Sequence, residues 1–154
     1  MDFSFFAGEY ADAVFRSVSI PYIKARYQGV EVQAPIFDKD VVATSETSLQ
    51  FMDTQNLRQF LILPTKTTFQ RALNLEKQRQ LQALEQKLVS GLITTPEFEQ
   101  QSNLIQHVYS PLYAIAPNQL WEIYEQERGV WQNCKVVGEG KINRVRYEIT
   151  LAKI

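Results

Sequence analysis

A helical pattern in the middle of the chain, from residue 69 to 108, separates two regions in which apolar and polar residues alternate as in β-strands. No other feature of the sequence limits the possible folds as much. Apolar residues recur in its first half at intervals of three and four, the spacing of one face of a helix, with Lys77 as an exception. They are Phe69, Leu73, Leu81, Leu84 and Leu88. The first half of this segment therefore predicts one long amphipathic helix.

A turn and a second helix follow within the same segment. Gly91 can end the first helix in the left-handed conformation that a Cβ disfavours. Thr94 and Glu97 have the spacing of a capping box, and Pro96 falls in the first turn, where its missing N–H costs nothing. These signals predict a helical hairpin over 69–108.

Strand patterns precede the hairpin. Tyr22–Tyr27 and Val30–Ala34 alternate on either side of Gln28-Gly29, which predicts a β-hairpin that ends at Pro35 because proline cannot donate to a ladder. The polar stretch 38–56 predicts a long loop with a short strand at 41–43, the kind of loop that often makes partner contacts. Gln59–Leu63 then predicts a buried strand.

Strand patterns also follow the hairpin. Leu120–Tyr124 and 130–137 are separated by turn residues, and the last strand places Val145, Tyr147, Ile149 and Leu151 on one side. Three successive strands with short turns predict a β-meander.

Neither group of strands is large enough to be stable alone, so both must share one core. The sequence therefore predicts a mainly β (α+β) fold, a small antiparallel β-barrel or sandwich with an inserted helical hairpin. Residues 1–154 form one domain in this interpretation, with 69–108 as the insertion and 1–17 as an N-terminal helix or arm.

Composition excludes several classes of function. Sixteen basic and seventeen acidic residues leave a net charge of −1, whereas nucleic-acid and anionic-membrane binders are normally basic. No stretch has the ~20 apolar residues that span a bilayer, and the N-terminus lacks the pattern of a signal peptide, so synthesis in the cytosol is expected. A single cysteine, Cys134, and a single histidine, His107, support neither a disulfide nor a metal site.

The same scarcity of reactive groups argues against catalysis. No nucleophile motif accompanies Cys134 or His107, and the carboxylates of Asp38, Asp40 and Glu122 have no meaningful spacing. We therefore expect no catalytic residue, no metal and no cofactor, and we interpret the chain as a protein that is not an enzyme.

The end of the chain resembles a family of viral structural proteins. The segments 121–123, 129–131, 136–138 and 145–151 are similar to the closing strands of head-closure and other head–tail connector proteins of tailed bacteriophages. The resemblance implies a homo-oligomeric ring in the phage neck, either a head-closure or head–tail connector ring or a tail terminator. It also implies contacts with portal and tail proteins, and assembly into the virion in the host cytoplasm. It implies no catalytic residues, and DNA would meet the ring only by passing through it.

A second, local resemblance lies in the helical segment. Leu81–Leu84, Leu88, Gly91–Thr94 and Glu97–Glu99 resemble the short helical hairpin called the SHOCT domain, over residues 81–105. That hairpin is usually a terminal appendage linked with oligomerisation, whereas here it lies in mid-chain. Eight of the sixteen glutamines lie between Gln70 and Gln106, where four basic and four acidic residues cancel, so this surface is polar but uncharged.

Two sets of residues are candidates for contacts. Aromatic and apolar residues near the N-terminus and in the polar loop are candidate subunit contacts: Phe3, Phe5, Phe6, Phe51 and Met52. An alternative function is a small barrel that binds nucleic acid or a ligand, in which Lys141, Arg144 and Arg146, near Trp131 and Tyr147, would contact the nucleic acid. A solvated, charge-protected edge strand explains the same basic residues.

Overall fold

The computed structural model of the protein describes residues 3–39 and 59–154. The described elements are α1 (Phe3–Ser17), β1 (Tyr22–Tyr27), β2 (Val30–Lys39), β3 (Gln59–Ile62), α2 (Lys66–Val89), α3 (Thr95–Val108), α4 (Pro111–Ala114), β4 (Leu120–Glu125), β5 (Val130–Val136), β6 (Lys141–Ile142) and β7 (Tyr147–Lys153). None of the described helices combines the length and the apolar character that crossing a membrane requires.

Six antiparallel strands close into a barrel. They follow the order β3-β2-β1-β4-β5-β7, and β3 pairs with β7, with Phe60 opposite Leu151, so that the sheet meets itself. The short strand β6 adds to β7 outside the closed ring, with Ile142 opposite Tyr147. Of the two predicted arrangements, barrel or sandwich, the protein has the barrel, and the predicted meander is present as β4-β5-β7.

The predicted turn at residues 28 and 29 is confirmed. Gln28 and Gly29 both have positive φ, 49° and 80°, and Tyr27 faces Val30 across the two-residue loop. Two successive residues with positive φ match the right-handed twist of the strands that they join. The turn sets the register for the whole of β1 against β2.

The prediction that the second strand ends at Pro35 is wrong, because β2 continues to Lys39. The N–H of Leu63 donates to the carbonyl of Pro35 at 3.1 Å, so β3 still pairs with β2 at this point. The reciprocal bond to the Leu63 carbonyl is impossible because proline has no N–H. Nη1 of Arg146 donates to that carbonyl instead, at 2.6 Å.

The helices that follow β3 cover one end of the barrel. Phe69 of α2 lies with its ring centroid 5.5 Å from Trp121 and 5.6 Å from Tyr147. The hydroxyl of Tyr27 donates to the Val108 carbonyl at 2.6 Å, which attaches the end of α3 to β1. The aromatic rings pack together while the Tyr27 hydroxyl keeps a hydrogen-bond partner. The end of the barrel and the helices therefore share one hydrophobic core.

The predicted helical hairpin is confirmed as α2 and α3. Gly91 has a φ of 76°, and the hydroxyl of Thr94 accepts from the N–H of Glu97 at 3.4 Å, as the capping box requires. Leu84 is buried but lies outside the core cluster of the barrel, and α3 has no fully buried residue. The distal half of α2, which is about 36 Å long in total, is therefore covered by its own hairpin and not by the barrel.

Candidate protein-interaction surface

The outer wall of β1, β4 and β5 carries a group of aromatic and charged side chains. Side chains alternate between the two sides of a strand, so every second residue of these strands points away from the core. Arg26 lies opposite Glu122, and Tyr124 lies opposite Trp131 in the strand register. We define the Trp131 face as Lys24, Arg26, Glu122, Tyr124 and Trp131.

Arg26 occupies the centre of the Trp131 face. Its Nε and Nη2 donate to the two carboxylate oxygens of Glu122, at 3.1 Å and 2.8 Å. The same guanidinium lies 4.1 Å from the ring centroid of Trp131. The hydrogen bonds from Arg26 to Glu122 raise the pKa of the guanidinium. Three side chains thus hold one another in a fixed arrangement.

The aromatic part of the face extends along β4. The rings of Tyr124 and Trp131 lie 5.3 Å apart with an interplanar angle of 57°, and Nζ of Lys24 lies 5.8 Å from the centroid of Tyr124. Leu120, on the same side of β4, is 61% exposed. Aromatic, cationic and aliphatic groups are therefore presented together on the barrel wall.

This arrangement is suited to recognition. The carboxylate of Glu122 is engaged by Arg26, so the charge of this face is largely paired within it. Within residues 3–39 and 59–154, no group of three or more histidine, cysteine, aspartate or glutamate side chains could hold a metal ion. Trp131, Tyr124 and Arg26 pack against one another and present large contact areas with little freedom left to lose.

An open cavity of about 370 Å³ lies at the barrel end where β1 begins and β4 and β7 end. Its apolar lining includes Ile23, Ile36 and Ile123. Glu125 accepts a hydrogen bond from Lys153 at the rim, and this bond holds the pKa of Glu125 below its ordinary value. Glu125 also pairs with Arg128, so these three of the charged groups that line the cavity are paired with one another.

Arg146, one of the three residues predicted to contact nucleic acid, lies inside the protein with only 6% of its side chain exposed. Its Nη2 lies 3.0 Å from Oδ1 of Asp12, and its guanidinium lies 4.4 Å from the Phe15 centroid. Lys141 and Arg144 are exposed, whereas Tyr147 is buried in the core. Of the three basic residues predicted to contact nucleic acid, Lys141 and Arg144 are therefore on the surface and Arg146 is not.

The candidate subunit contacts fall outside what can be described. Phe51 and Met52, and the strand predicted at 41–43, lie beyond the described residues, and so do the side chains of Phe3, Phe5 and Phe6. The backbone of the N-terminal segment forms α1, as one of its two predicted states. Asp38, expected at the start of a loop, belongs instead to β2.

The residues that the sequence analysis considered for metal binding or catalysis do not form a shared site among the described residues. His107 packs against Tyr113, with ring centroids 4.2 Å apart, near the end of α3. Cys134 is buried in the barrel, and burial raises the pKa of its thiol to about 12. Glu122 is paired with Arg26, and Asp40 lies outside the described residues.

Sequence reasoning missed the pairing at the centre of the Trp131 face. Arg26 and Glu122 are 96 residues apart, and only the pairing of β1 with β4 brings them together. The signal within the chain is the alternation of Leu120, Glu122 and Tyr124 with Trp121 and Ile123, which places Glu122 and Tyr124 on one side of β4. No local pattern identifies which strand lies next to them.

Comparison with protein-family models, with curated proteins and with solved structures finds no match for this chain.

Proposed function

We propose that this protein is a structural subunit that forms a ring with copies of itself in the neck of a tailed bacteriophage. The observation that carries the proposal is the Trp131 face, in which Arg26 and Tyr124 both pack against Trp131 on the outside of a closed barrel. Trp, Tyr and Arg are the residues that most often dominate the binding energy of protein interfaces. An outer wall of this kind is suited to contact another protein.

Closure of the barrel favours side-chain contacts over strand addition. Each of the six barrel strands has two hydrogen-bonded neighbours, so the barrel offers no long free edge to a partner strand. Subunits would therefore meet through faces such as the Trp131 face. A ring needs each subunit to offer two different faces, because only a heterologous contact can continue around a closed circle.

The neck assignment rests on the resemblance of the closing strands to connector proteins. In this role the ring would contact portal and tail proteins, would be assembled in the host cytoplasm and would end in the virion. The near-zero net charge supports protein contacts over direct DNA binding, and DNA would only pass through the ring.

The test is co-assembly. Alone, the protein is expected to be monomeric or weakly associated in sedimentation, and to form closed rings with the portal and tail proteins encoded beside its gene. Trp131→Ala should lower ring yield at least about tenfold, since a hot-spot side chain contributes roughly 2 kcal/mol or more. Arg144→Ala, an exposed change away from the face, is the matched control.

Mass spectrometry of purified particles provides the second measurement. The protein should be present in virions at a whole-number ratio to the portal protein. A chain that stays monomeric with these partners and is absent from particles would overturn the proposal.

A second candidate function is a barrel that binds single-stranded nucleic acid. The same face favours it, since Trp131 and Tyr124 are potential stacking platforms next to the cations of Lys24 and Arg26. Glu122 neutralises Arg26, which makes this candidate the weaker one. Oligonucleotide binding that falls steeply with salt and is lost in Trp131→Ala would favour it, and no binding at low salt would eliminate it.

A further inference from the structure

The two ends of the barrel are filled differently. Where β1 ends and β4 and β7 begin, large aromatic side chains fill the interior, and each of them is no more than 2% exposed: Tyr27, Phe69, Trp121 and Tyr147. At the other end, the open cavity of about 370 Å³ lies among aliphatic side chains. The described side chains therefore fill the barrel interior at one end and leave space at the other.

Alternation along the strands directs three isoleucines towards this cavity. Ile36 lies opposite the fully buried Ile62 in the pairing of β2 with β3, so Ile36 points inward. Ile23 shares one side of β1 with the fully buried Ala25. Ile123 is itself buried, whereas Ile23 and Ile36 are only partly covered. The cavity therefore has an aliphatic floor that belongs to the interior of the barrel.

The charges around the cavity balance. Among the described residues that line it, two are acidic and two are basic: Glu125, Glu127, Arg128 and Lys153. The carboxylate of Glu125 accepts hydrogen bonds from both Lys153 and Arg128. A charged ligand would lose part of its hydration here and would have to compete with these existing pairs, whereas an uncharged ligand would not.

We propose that this cavity is a binding site for a small, uncharged and mainly apolar molecule. Its volume lies in the range of small-molecule sites, which occur preferentially in places such as the mouths of β-barrels. A medium-chain alcohol would place its hydrocarbon part against Ile23, Ile36 and Ile123 and its hydroxyl towards the charged rim. Trp131 does not line the cavity, so the site is separate from the Trp131 face and does not depend on the proposed ring.

Titration with probes of equal chain length tests the proposal. Octan-1-ol should bind the isotope-labelled protein saturably, with a Kd of about 1 mM or lower, and should shift the amide signals of Ile23, Ile36 and Ile123 in NMR spectra. Sodium octanoate and octylammonium chloride should each bind at least about fivefold more weakly, because their charges lose hydration without gaining a partner. Equal or tighter binding of either charged probe would contradict an uncharged ligand.

Substitutions that fill the cavity locate the site. Ile36→Phe should weaken octan-1-ol binding at least about tenfold, because the larger ring would occupy the space. Ile23→Phe should have the same effect and is the second filling variant, with urea unfolding used to verify that each variant is folded. The matched control is Ile142→Phe, at an exposed isoleucine on β6 outside the closed ring, and it should leave binding unchanged.

A further variant separates this site from the interaction surface. Trp131→Ala should leave octan-1-ol binding unchanged, even if it abolishes the ring. Loss of octan-1-ol binding in Trp131→Ala would place the alcohol on the outer wall and overturn the proposal. The absence of saturable binding to the unsubstituted protein, or full affinity in the folded filling variants, would overturn it as well.

Discussion

Arg146 donates from Nη1 to the carbonyl oxygen of Leu63 at 2.6 Å and so supplies the hydrogen bond that Pro35 cannot. The same guanidinium binds Asp12 of α1 through Nη2 at 3.0 Å. Tyr22 donates from its hydroxyl to that carboxylate at 2.7 Å. One buried cation therefore joins α1 to the barrel and completes the pairing of β2 with β3.

Replacement of Arg146 is expected to destabilise the protein strongly. Arg146→Met keeps most of the side-chain volume but removes the donor to the Leu63 carbonyl and leaves the Asp12 carboxylate with Tyr22 as a donor and without its cation. Removing one partner of a buried pair costs about 3 kcal/mol. Urea unfolding should show this loss, with a lower midpoint and an unchanged slope.

The control for this change is two residues away. Arg144→Met alters an exposed side chain on the same segment and should shift the free energy of unfolding by no more than about 0.5 kcal/mol. Similar effects of the two substitutions would contradict the role assigned to Arg146. Combining Arg146→Met with Asp12→Asn should cost clearly less than the sum of the single changes.

Two glycine-to-alanine substitutions should act in opposite directions. A Cβ at Gly140 would lie 2.6 Å from Cβ of Ile115 and 2.9 Å from its carbonyl oxygen, so Gly140→Ala should destabilise by about 2 kcal/mol. A Cβ at Gly8, in α1, would lie 3.4 Å from Thr65, and Gly8→Ala should stabilise by up to about 1 kcal/mol through helix propensity. Thermal unfolding measures both, and a stabilising Gly140→Ala would refute the close packing.

Burial of Cys134 should make the protein less stable at alkaline pH. The pKa of the thiol rises from 9.0 to about 12, so between these values the folded state keeps a proton that the unfolded state has lost. The free energy of unfolding therefore falls as pH rises through this range. Burial raises the pKa of several tyrosines in the same sense, namely Tyr22, Tyr27, Tyr109 and Tyr147.

Alkylation kinetics check the cysteine directly. At pH 8 iodoacetamide should label native Cys134 at a rate set by unfolding, and label it rapidly in urea. Cys134→Ala should reduce the pH dependence above pH 9 and leave the tyrosine part. Fast labelling of the native protein would show that the thiol is accessible.

The capping box at the hairpin tip should contribute to stability locally. Thr94→Ala removes the acceptor for the Glu97 N–H and should cost about 1 kcal/mol. The loss should be local, with faster amide exchange at the start of α3, because α3 has no fully buried residue. Thr95→Ala, one residue further on, serves as the control and should change little.

Parts of the candidate interaction surface could be anticipated from sequence, and its assembly could not. The alternation of β4 places Glu122 and Tyr124 on one side of that strand. The alternation of β5 places Trp131 on the opposite side from its chain neighbours Val130 and Gln132. Arg26 was not connected with either strand, because a pairing across 96 residues leaves no local signal. The sequence likewise predicts an exposed cation at Arg146, because its partners Asp12 and Leu63 are distant in the chain.

Elements whose causes are local follow directly from the amino-acid sequence. Apolar periodicity produced α2, the capping residues Thr94 and Glu97 placed the start of α3, and the Gln28-Gly29 turn set the first β-hairpin. Tertiary structure decided what depends on long-range pairing. Closure of β3 onto β7 chose the barrel over the sandwich, and Arg146 allowed β2 to continue past Pro35, because a donor from elsewhere satisfied the open carbonyl.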